Sequence, residues 1–422
     1  MVVDITGNVK DLIDEVYRRS INARSVLRKH IHKTPLVSNR TLSILSGGEV
    51  YLKLENMQKT GAFKVRGALY KIHRLLLAQN IKGVVAASSG NHAQGVAYAA
   101  RCYGIESYIV MPRTASATKI NATKSYGAKV VLYGEYYDEA YEKAMMIKEE
   151  KGYPFIHPYD DLDVIAGQAT IAHEILEELP SVDYILAPIG GGGLLAGIAV
   201  VAKKRNSRIK VIGIEPRNAP SMYSLIRHQK RLVEVKPSIA DAVVVKNPGK
   251  ITSEIIRELA DDIILVDEDD ISHAIAFLLE RAKIVVEGAG ALPVAAILSG
   301  SLNLENARVV AVVSGGNIDP ILLSRIIVHE ASRDGRVLSI IGEVYDKPGE
   351  LKKVIEVLAR HGLNIVDIRH DRWDPSILPN RAIVEIVLEA KDKESIGRAL
   401  SELGSRGYVF HTRGDSISRE NE

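Results

Sequence analysis

Four short segments carry groups that could do chemistry, and each falls where an apolar run gives way to a helical pattern. The first, Thr60-Gly61-Ala62-Phe63-Lys64-Val65-Arg66-Gly67-Ala68, sets a lysine beside an aromatic ring at a helix start. A lone loop lysine is normally just solvated. Buried against apolar surface, the same amine loses basicity and becomes a nucleophile toward a carbonyl, the chemistry of a Schiff base. The second, Ala86-Ala87-Ser88-Ser89-Gly90-Asn91-His92-Ala93-Gln94-Gly95, ends a strand and opens a helix whose free N–H groups suit a carboxylate. A plain serine N-cap would also explain it, and His92 reads equally as a packed imidazole. The third, Pro188-Ile189-Gly190-Gly191-Gly192-Gly193-Leu194-Leu195-Ala196-Gly197, lets backbone approach a phosphate at a helix start. It also matches the dinucleotide pattern G-x-G-x-x-A through Gly191, Gly193 and Ala196, with Glu215 near the place of a ribose-binding acid, so an NAD-dependent oxidoreductase stands as an alternative. The fourth, Val312-Val313-Ser314-Gly315-Gly316-Asn317, is either an ordinary turn or a hydroxyl aimed into the same cleft.

Other candidates are weaker. His173-Glu174 is not a zinc-protease motif, because Glu177 stands where the second histidine is required. Glu215, Ala219 and Ser221 offer only one carboxylate toward a cation, and no metal is expected. Cys102, the only cysteine, excludes an internal disulfide and a cysteine-built zinc site, and it points to a reducing, cytoplasmic compartment. The net charge of +3, from 55 basic and 52 acidic residues, is too weak to argue for nucleic acid. No apolar stretch reaches the length of a membrane span, and the N-terminal residues lack a signal-peptide core.

The elements around the four segments alternate. Strands are expected at Val50–Leu54, Gly83–Ala87, Ser107–Met111, Ala128–Leu132, Tyr184–Ala187, Lys210–Ile214 and Val309–Val313, separated by helical stretches such as 66–79, 92–103, 162–179 and 194–205. Strands spaced by helices of this length indicate βαβ units on a parallel sheet, with ligands at the carboxyl ends of the strands. Residues 1–330 therefore read as one α/β unit of two lobes, the small lobe spanning about 50–157, closed by a helix from Ile318. After Asp334-Gly335 the order becomes β-α-β-β-α-β, the ferredoxin-like arrangement, over 335–413. Its first helix carries Leu351, Val354, Ile355 and Leu358 at helical spacing, with Asp346 as the expected cap and Gly362 as the stop.

Taken together, the four motifs resemble those of the pyridoxal-phosphate-dependent serine/threonine dehydratases, and the likeness runs from Lys33-Thr34-Pro35-Leu36 to the end of the chain. The last 80 or so residues resemble an ACT domain, a small module that binds amino acids. The resemblance implies a two-lobed, tryptophan-synthase-β-like catalytic unit (fold-type II) with pyridoxal 5'-phosphate as cofactor. It implies that Lys64 is the Schiff-base lysine and the base at Cα, that Phe63 packs on the cofactor ring, and that Asn91 contacts the ring hydroxyl. It assigns the cofactor phosphate to Gly190, Gly191, Gly192, Gly193 and Leu194, the pyridine nitrogen to Ser314, and the substrate carboxylate to Ser88, Ser89, Gly90, Asn91 and His92. The implied reaction is β-elimination of L-threonine to 2-oxobutanoate and ammonia, and of L-serine to pyruvate. Many threonine dehydratases carry alanine where this chain has Ser89, whereas racemases of the family carry a serine there as a second acid/base, which makes serine racemisation the alternative activity. For the ACT-like module the resemblance implies isoleucine or valine binding near Asp346, Gly349, Leu351 and Asn364, at an interface between two such domains. A homodimer or homotetramer follows from the same likeness.

Overall fold

The computed structural model describes residues 8–228 and 233–412 and divides into two compact units, Met1–Asp319 and Pro320–Glu422. Among the described residues, nine strands belong to the first unit: β1 (Leu36–Ser38), β2 (Glu49–Leu54), β3 (Gly83–Ala87), β4 (Glu106–Met111), β5 (Lys129–Leu132), β6 (Tyr184–Pro188), β7 (Lys210–Pro216), β8 (Asp262–Val266) and β9 (Arg308–Val313). They form two sheets. One is six-stranded, in the order β1-β2-β9-β6-β7-β8, parallel apart from the β1–β2 pair. The other is three-stranded and parallel, in the order β3-β4-β5.

The sequence explains these choices. The run Val309–Val313 is continuously apolar and completely buried, as a parallel strand covered by helices on both faces must be. Gly83–Ala87 behaves in the same way. The helix Leu162–Glu178 lies against Gly193–Arg205; the second buries only small or aliphatic residues, and the first adds Asp163, Gln168, Thr170 and His173 to such a set. Gly167 and Gly197 sit where these helices meet neighbouring backbone.

The expected strands are all present, and two more join them. Leu36–Ser38 is only three residues long, and Asp262–Val266 is a short apolar run behind two aspartates, so neither stands out in the sequence. The acidic run beginning at Asp267 does start a helix, Glu268–Phe277, with a capping box between Asp267 and Asp270. One expectation needs correcting at a boundary: the helix placed from Ile318 within the first unit runs from Pro320 to Arg333 and belongs to the second.

The second unit continues with β10 (Val337–Tyr345), β11 (Asn364–Asp371), β12 (Arg381–Glu389) and β13 (Phe410–Thr412), with helices Glu350–Arg360 and Lys393–Ser405. All pairs are antiparallel, in the order β11-β12-β10-β13, which is the ferredoxin-like topology. Along β12, Ala382, Val384, Ile386 and Leu388 are buried and alternate with partly exposed residues, the period-two pattern of a sheet covered on one face. Asp346 does not cap the first helix: Pro348 and Gly349 intervene, Gly349 is the N-cap at φ 93°, and the Asp346 carboxylate instead accepts a hydrogen bond from Arg372 Nε at 2.9 Å.

Candidate active site

Three of the four motifs leave adjacent strands of the six-stranded sheet. Lys64 follows β2, Ser314 follows β9 and the glycine run follows β6, all at carboxyl ends. The lysine loop and the serine turn are sewn together by backbone. Phe63 N donates to Ser314 O at 3.0 Å, Gly316 N donates to Gly61 O at 2.9 Å, and Ala62 bridges to Gly315. The helix Lys64–Ala78 is anchored by Arg66, which is fully buried. Its guanidinium forks onto Glu55 (2.7 and 2.8 Å) and onto Glu174 (2.6 and 2.9 Å), and Lys53 donates to Glu174 at 2.6 Å. Burial alone would raise the Glu174 carboxyl, but Arg66 and Lys53 beside it hold it below the usual range. Two buried cations thus meet two carboxylates, and the start of the lysine helix cannot drift without breaking that set.

The Lys64 amine donates to Pro158 O at 2.9 Å and lies 5.2 Å from the Phe63 ring centroid. Burial pushes it down to about 8, against the pull of Glu287. An amine with this pKa is partly unprotonated near neutral pH, as nucleophilic attack on a carbonyl requires.

Gly190 to Leu194 wrap the start of the helix Gly193–Arg205, which no side chain caps. A Cβ on Gly191 would lie 2.3 Å from the ring of Tyr159, so only glycine fits beneath that ring. Thr252 Oγ1 donates to Gly191 O at 2.6 Å, and Tyr159 Oη donates to Asn247 O at 2.9 Å. Asp160 caps the helix Lys250–Leu259 from a distant part of the chain by accepting from Lys250 N and Thr252 N.

The fourth segment comes from the smaller sheet. Ser88, Ser89 and Gly90 follow β3 and are partly open. The helix Asn91–Cys102 has Gly90 as its N-cap and no side-chain cap, so the serine-cap explanation does not hold. Ser88 Oγ instead accepts from Gly90 N at 3.2 Å. The His92 ring is turned away, its Nε2 donating to Ile156 O at 2.9 Å, and burial holds it down to about 3, so it is neutral at ordinary pH. Asn91 is buried and joins the two sheets: Asn91 Nδ2 donates to Glu287 Oε1 at 2.6 Å and Asn317 Nδ2 donates to Asn91 Oδ1 at 2.7 Å.

The structure thus gathers Phe63, Lys64, Asn91 and Ser314 with the flanking Ser88–Gly90 turn, while Glu287, Tyr159 and Asp160 carry no signal of their own in the sequence. Glu287 reads as an ordinary helix-start acid in Val286-Glu287-Gly288, and only the fold buries it. Asn317 lies inside the fourth motif, and its part there is visible only in the structure. The dinucleotide alternative loses its acid. Both Glu215 oxygens accept N–H groups, from Met222 and Tyr223, and burial pushes this carboxyl up to about 8. Among the described residues no group of three or more His, Cys, Asp or Glu side chains is placed to hold a metal ion, and no helix is long and apolar enough to cross a membrane.

A family model for pyridoxal-phosphate dependent enzymes matches residues 27–315. The chain belongs to that family. Pyridoxal 5'-phosphate is its cofactor, and the site fits it: a buried amine of lowered pKa, an uncapped helix start behind a glycine run and a buried serine stand at three neighbouring strand ends. The chain is 45% identical over 387 residues to L-threonine ammonia-lyase of Thermotoga maritima, covering 92% of this chain and 96% of the relative. Among solved structures, the T.th. threonine deaminase is 40% identical, with a TM-score of 0.68 over 72% of this chain and 98% of that one. Maize serine racemase is 35% identical, with a TM-score of 0.69 over 76% of this chain and 98% of that one.

In the second unit, the residues expected to bind an effector are not all neighbours. Asp346, Gly349 and Leu351 lie around the turn after β10, whereas Asn364 opens β11 and pairs with Glu389. In the sheet register Asn364 is level with the start of β10 and Asp346 with its end, so roughly 25 Å of strand separates them within one chain.

Proposed function

We propose that this chain is a threonine ammonia-lyase, converting L-threonine to 2-oxobutanoate and ammonia and accepting L-serine, which would give pyruvate. One observation carries this reading: the lowered-pKa Lys64 amine stands at the strand end beside Ser314, in a chain matched along nearly its whole length by a relative named for the reaction. When bound, the cofactor supplies the electron sink for a carbanion at Cα.

The chain's own groups hold the reactants and move the Cα proton. Lys64, released from the cofactor, takes the Cα proton, and its loss of basicity through burial suits it to that exchange near neutral pH. The Ser88–Gly90 turn and the uncapped start of the helix Asn91–Cys102 offer N–H donors to the substrate carboxylate. Gly190–Leu194 offer the same at a second helix start to the cofactor phosphate. Ser314 would stand as a neutral partner for the ring nitrogen of the bound cofactor, and a hydroxyl there would leave less positive charge on the ring than a carboxylate. That limits long-lived carbanions and favours elimination over transamination.

Lys64→Ala tests the assignment. Ammonia release from L-threonine should fall by about a thousandfold or more; undiminished release would refute it. A second reading, serine racemisation, draws support from Ser89 and from the likeness to maize serine racemase. Product analysis after incubation with L-serine separates the two: pyruvate as the main product fits the lyase, and D-serine as the main product overturns it.

For the second unit we propose an ACT-type role, with isoleucine or valine bound near Asp346, Gly349, Leu351 and Asn364. Because one chain holds the turn and Asn364 at opposite ends of its sheet, a site using both requires two paired domains. The edge strand β11, with Val366 exposed, supports such pairing. A homodimer or homotetramer is part of this proposal, as is a cytoplasmic location, for which the single Cys102 speaks. Titration of either amino acid against the rate with L-threonine checks it, and an unchanged rate and affinity would remove it.

A further inference from the structure

Asn91 is held from both sides. Asn317 Nδ2 donates to Asn91 Oδ1 at 2.7 Å and also to Thr60 O at 2.9 Å. Asn91 Nδ2 donates to Glu287 Oε1 at 2.6 Å. These partners fix which end of the Asn91 amide is which: oxygen toward Asn317, nitrogen toward Glu287, with one Nδ2 proton left over.

Glu287 is itself closely packed. Its N–H donates to Gly315 O at 3.1 Å, and a Cβ on Gly315 would meet Glu287 Oε1 at 2.2 Å. It stands at the start of the helix Gly288–Leu298 without capping it through its side chain. A buried carboxyl that neither caps a helix nor forms a close salt bridge is costly unless something else needs it there. The charged groups facing it are Lys64 from the lysine loop, Asp241 from the turn Asp241–Val243 and Lys119 from the helix Ala117–Ser125. Burial and Asp241 push the Glu287 carboxyl up to about 7, while Asn91, Lys119 and Lys64 pull it down.

We propose that Glu287 is a positioning residue: with Asn317 it locks the Asn91 amide in the one orientation that leaves an N–H for the cofactor's ring hydroxyl, and it is the counter-charge of the Lys64 amine. This rests on the reading of Asn91 as the contact to that hydroxyl. The carboxylate acts through two other side chains and needs no contact with substrate. Glutamine in its place keeps the acceptor oxygen and removes the charge, whereas alanine removes both, so the two halves of the proposal separate.

The experiment follows the absorption spectrum of the holoenzyme against pH, together with cofactor affinity measured by adding pyridoxal phosphate to the apoprotein, for wild type, Glu287→Gln, Glu287→Ala, Asn91→Ala and the double alanine variant. Glu287→Gln should retain the cofactor but lower the midpoint of its pH-dependent absorption change by about one unit or more, because the protonated nitrogen at Lys64 loses a nearby negative charge. Its kcat should fall with little change in KM. Glu287→Ala and Asn91→Ala should each weaken cofactor binding about tenfold, and the double variant should be little worse than either, since both break one linkage. An unmoved midpoint in Glu287→Gln, or fully additive losses in the double variant, would overturn the proposal while a weakened Asn91→Ala leaves the site reading standing. If Asn91→Ala binds and absorbs as wild type does, the reading of Asn91 fails first. Should Glu287→Ala not fold, the isosteric glutamine variant decides alone.

Discussion

The surroundings of Lys64 and the ferredoxin-like sheet bury different kinds of side chain. Around Lys64 the chain buries Lys53, Glu55, Arg66 and Glu287, each a group that water would hold more cheaply. The sheet β10–β13 instead closes on an apolar set: Ile340, Val354, Val357, Leu358, Val384, Ile386, Ile396, Leu403 and Phe410. An apolar core needs only pattern and volume. A buried ionic set needs every partner, so it is a poor source of stability and a good way to fix a position. The difference teaches that the region near the lysine is built for placement, and the second unit for compactness.

Breaking the ionic set should therefore cost most. Arg66→Ala leaves Glu55 buried without its cation and Glu174 with Lys53 alone, and urea unfolding of the first unit should show a loss of about 3–5 kcal/mol, accompanied by poor cofactor retention. A loss under ~1 kcal/mol would mean that the set is solvated and the contrast is false. Leu358→Ala, in the apolar core of the second unit, should cost about 2–5 kcal/mol through an ordinary cavity. It should leave the cofactor's absorption untouched, and a changed spectrum would contradict the division. A smaller effect sharpens the comparison at the lysine itself. Only the unprotonated amine attacks the cofactor aldehyde, and its pKa of about 8 lies well below the ordinary value of 10.5. The rate of reconstituting the apoprotein should then rise with pH, gaining roughly tenfold between pH 7 and 9 and flattening above. A rate still climbing steeply at pH 9.5 would mark an amine that burial has not perturbed.

Much of this arrangement can be read from local pattern. The glycine run and Ser314 announce themselves because each follows an apolar strand, and Lys64 because it opens a helix beside Phe63; the strands that precede them, β6, β9 and β2, prove to be adjacent. The second unit is legible because its helices Glu350–Arg360 and Lys393–Ser405 carry apolar residues at helical spacing between strand-like runs. What escapes is tertiary. Glu287 looks like any acid before a helix, and its burial depends on Gly315 and Asn91 arriving from distant parts of the chain. Arg66 and Glu174 are 108 residues apart, so their pairing leaves no local trace. Asp346 has the look of a cap, but the Pro348-Gly349 pair moves the helix start past it by three residues.

The backbone stitch between Phe63 and Ser314 has a mechanical consequence. Lysine and serine follow neighbouring strands of one sheet, and the stitch joins the segments that carry them, so the gap between them is fixed by backbone hydrogen bonds at both levels. Asn91 and the Ser88–Gly90 turn ride on the other sheet, and the amide links from Asn91 to Glu287 and Asn317 cross between the two. Any swing of the smaller sheet is therefore hinged at Asn91, with the Ser88–Gly90 turn moving about it while the Lys64 nitrogen stays where it is.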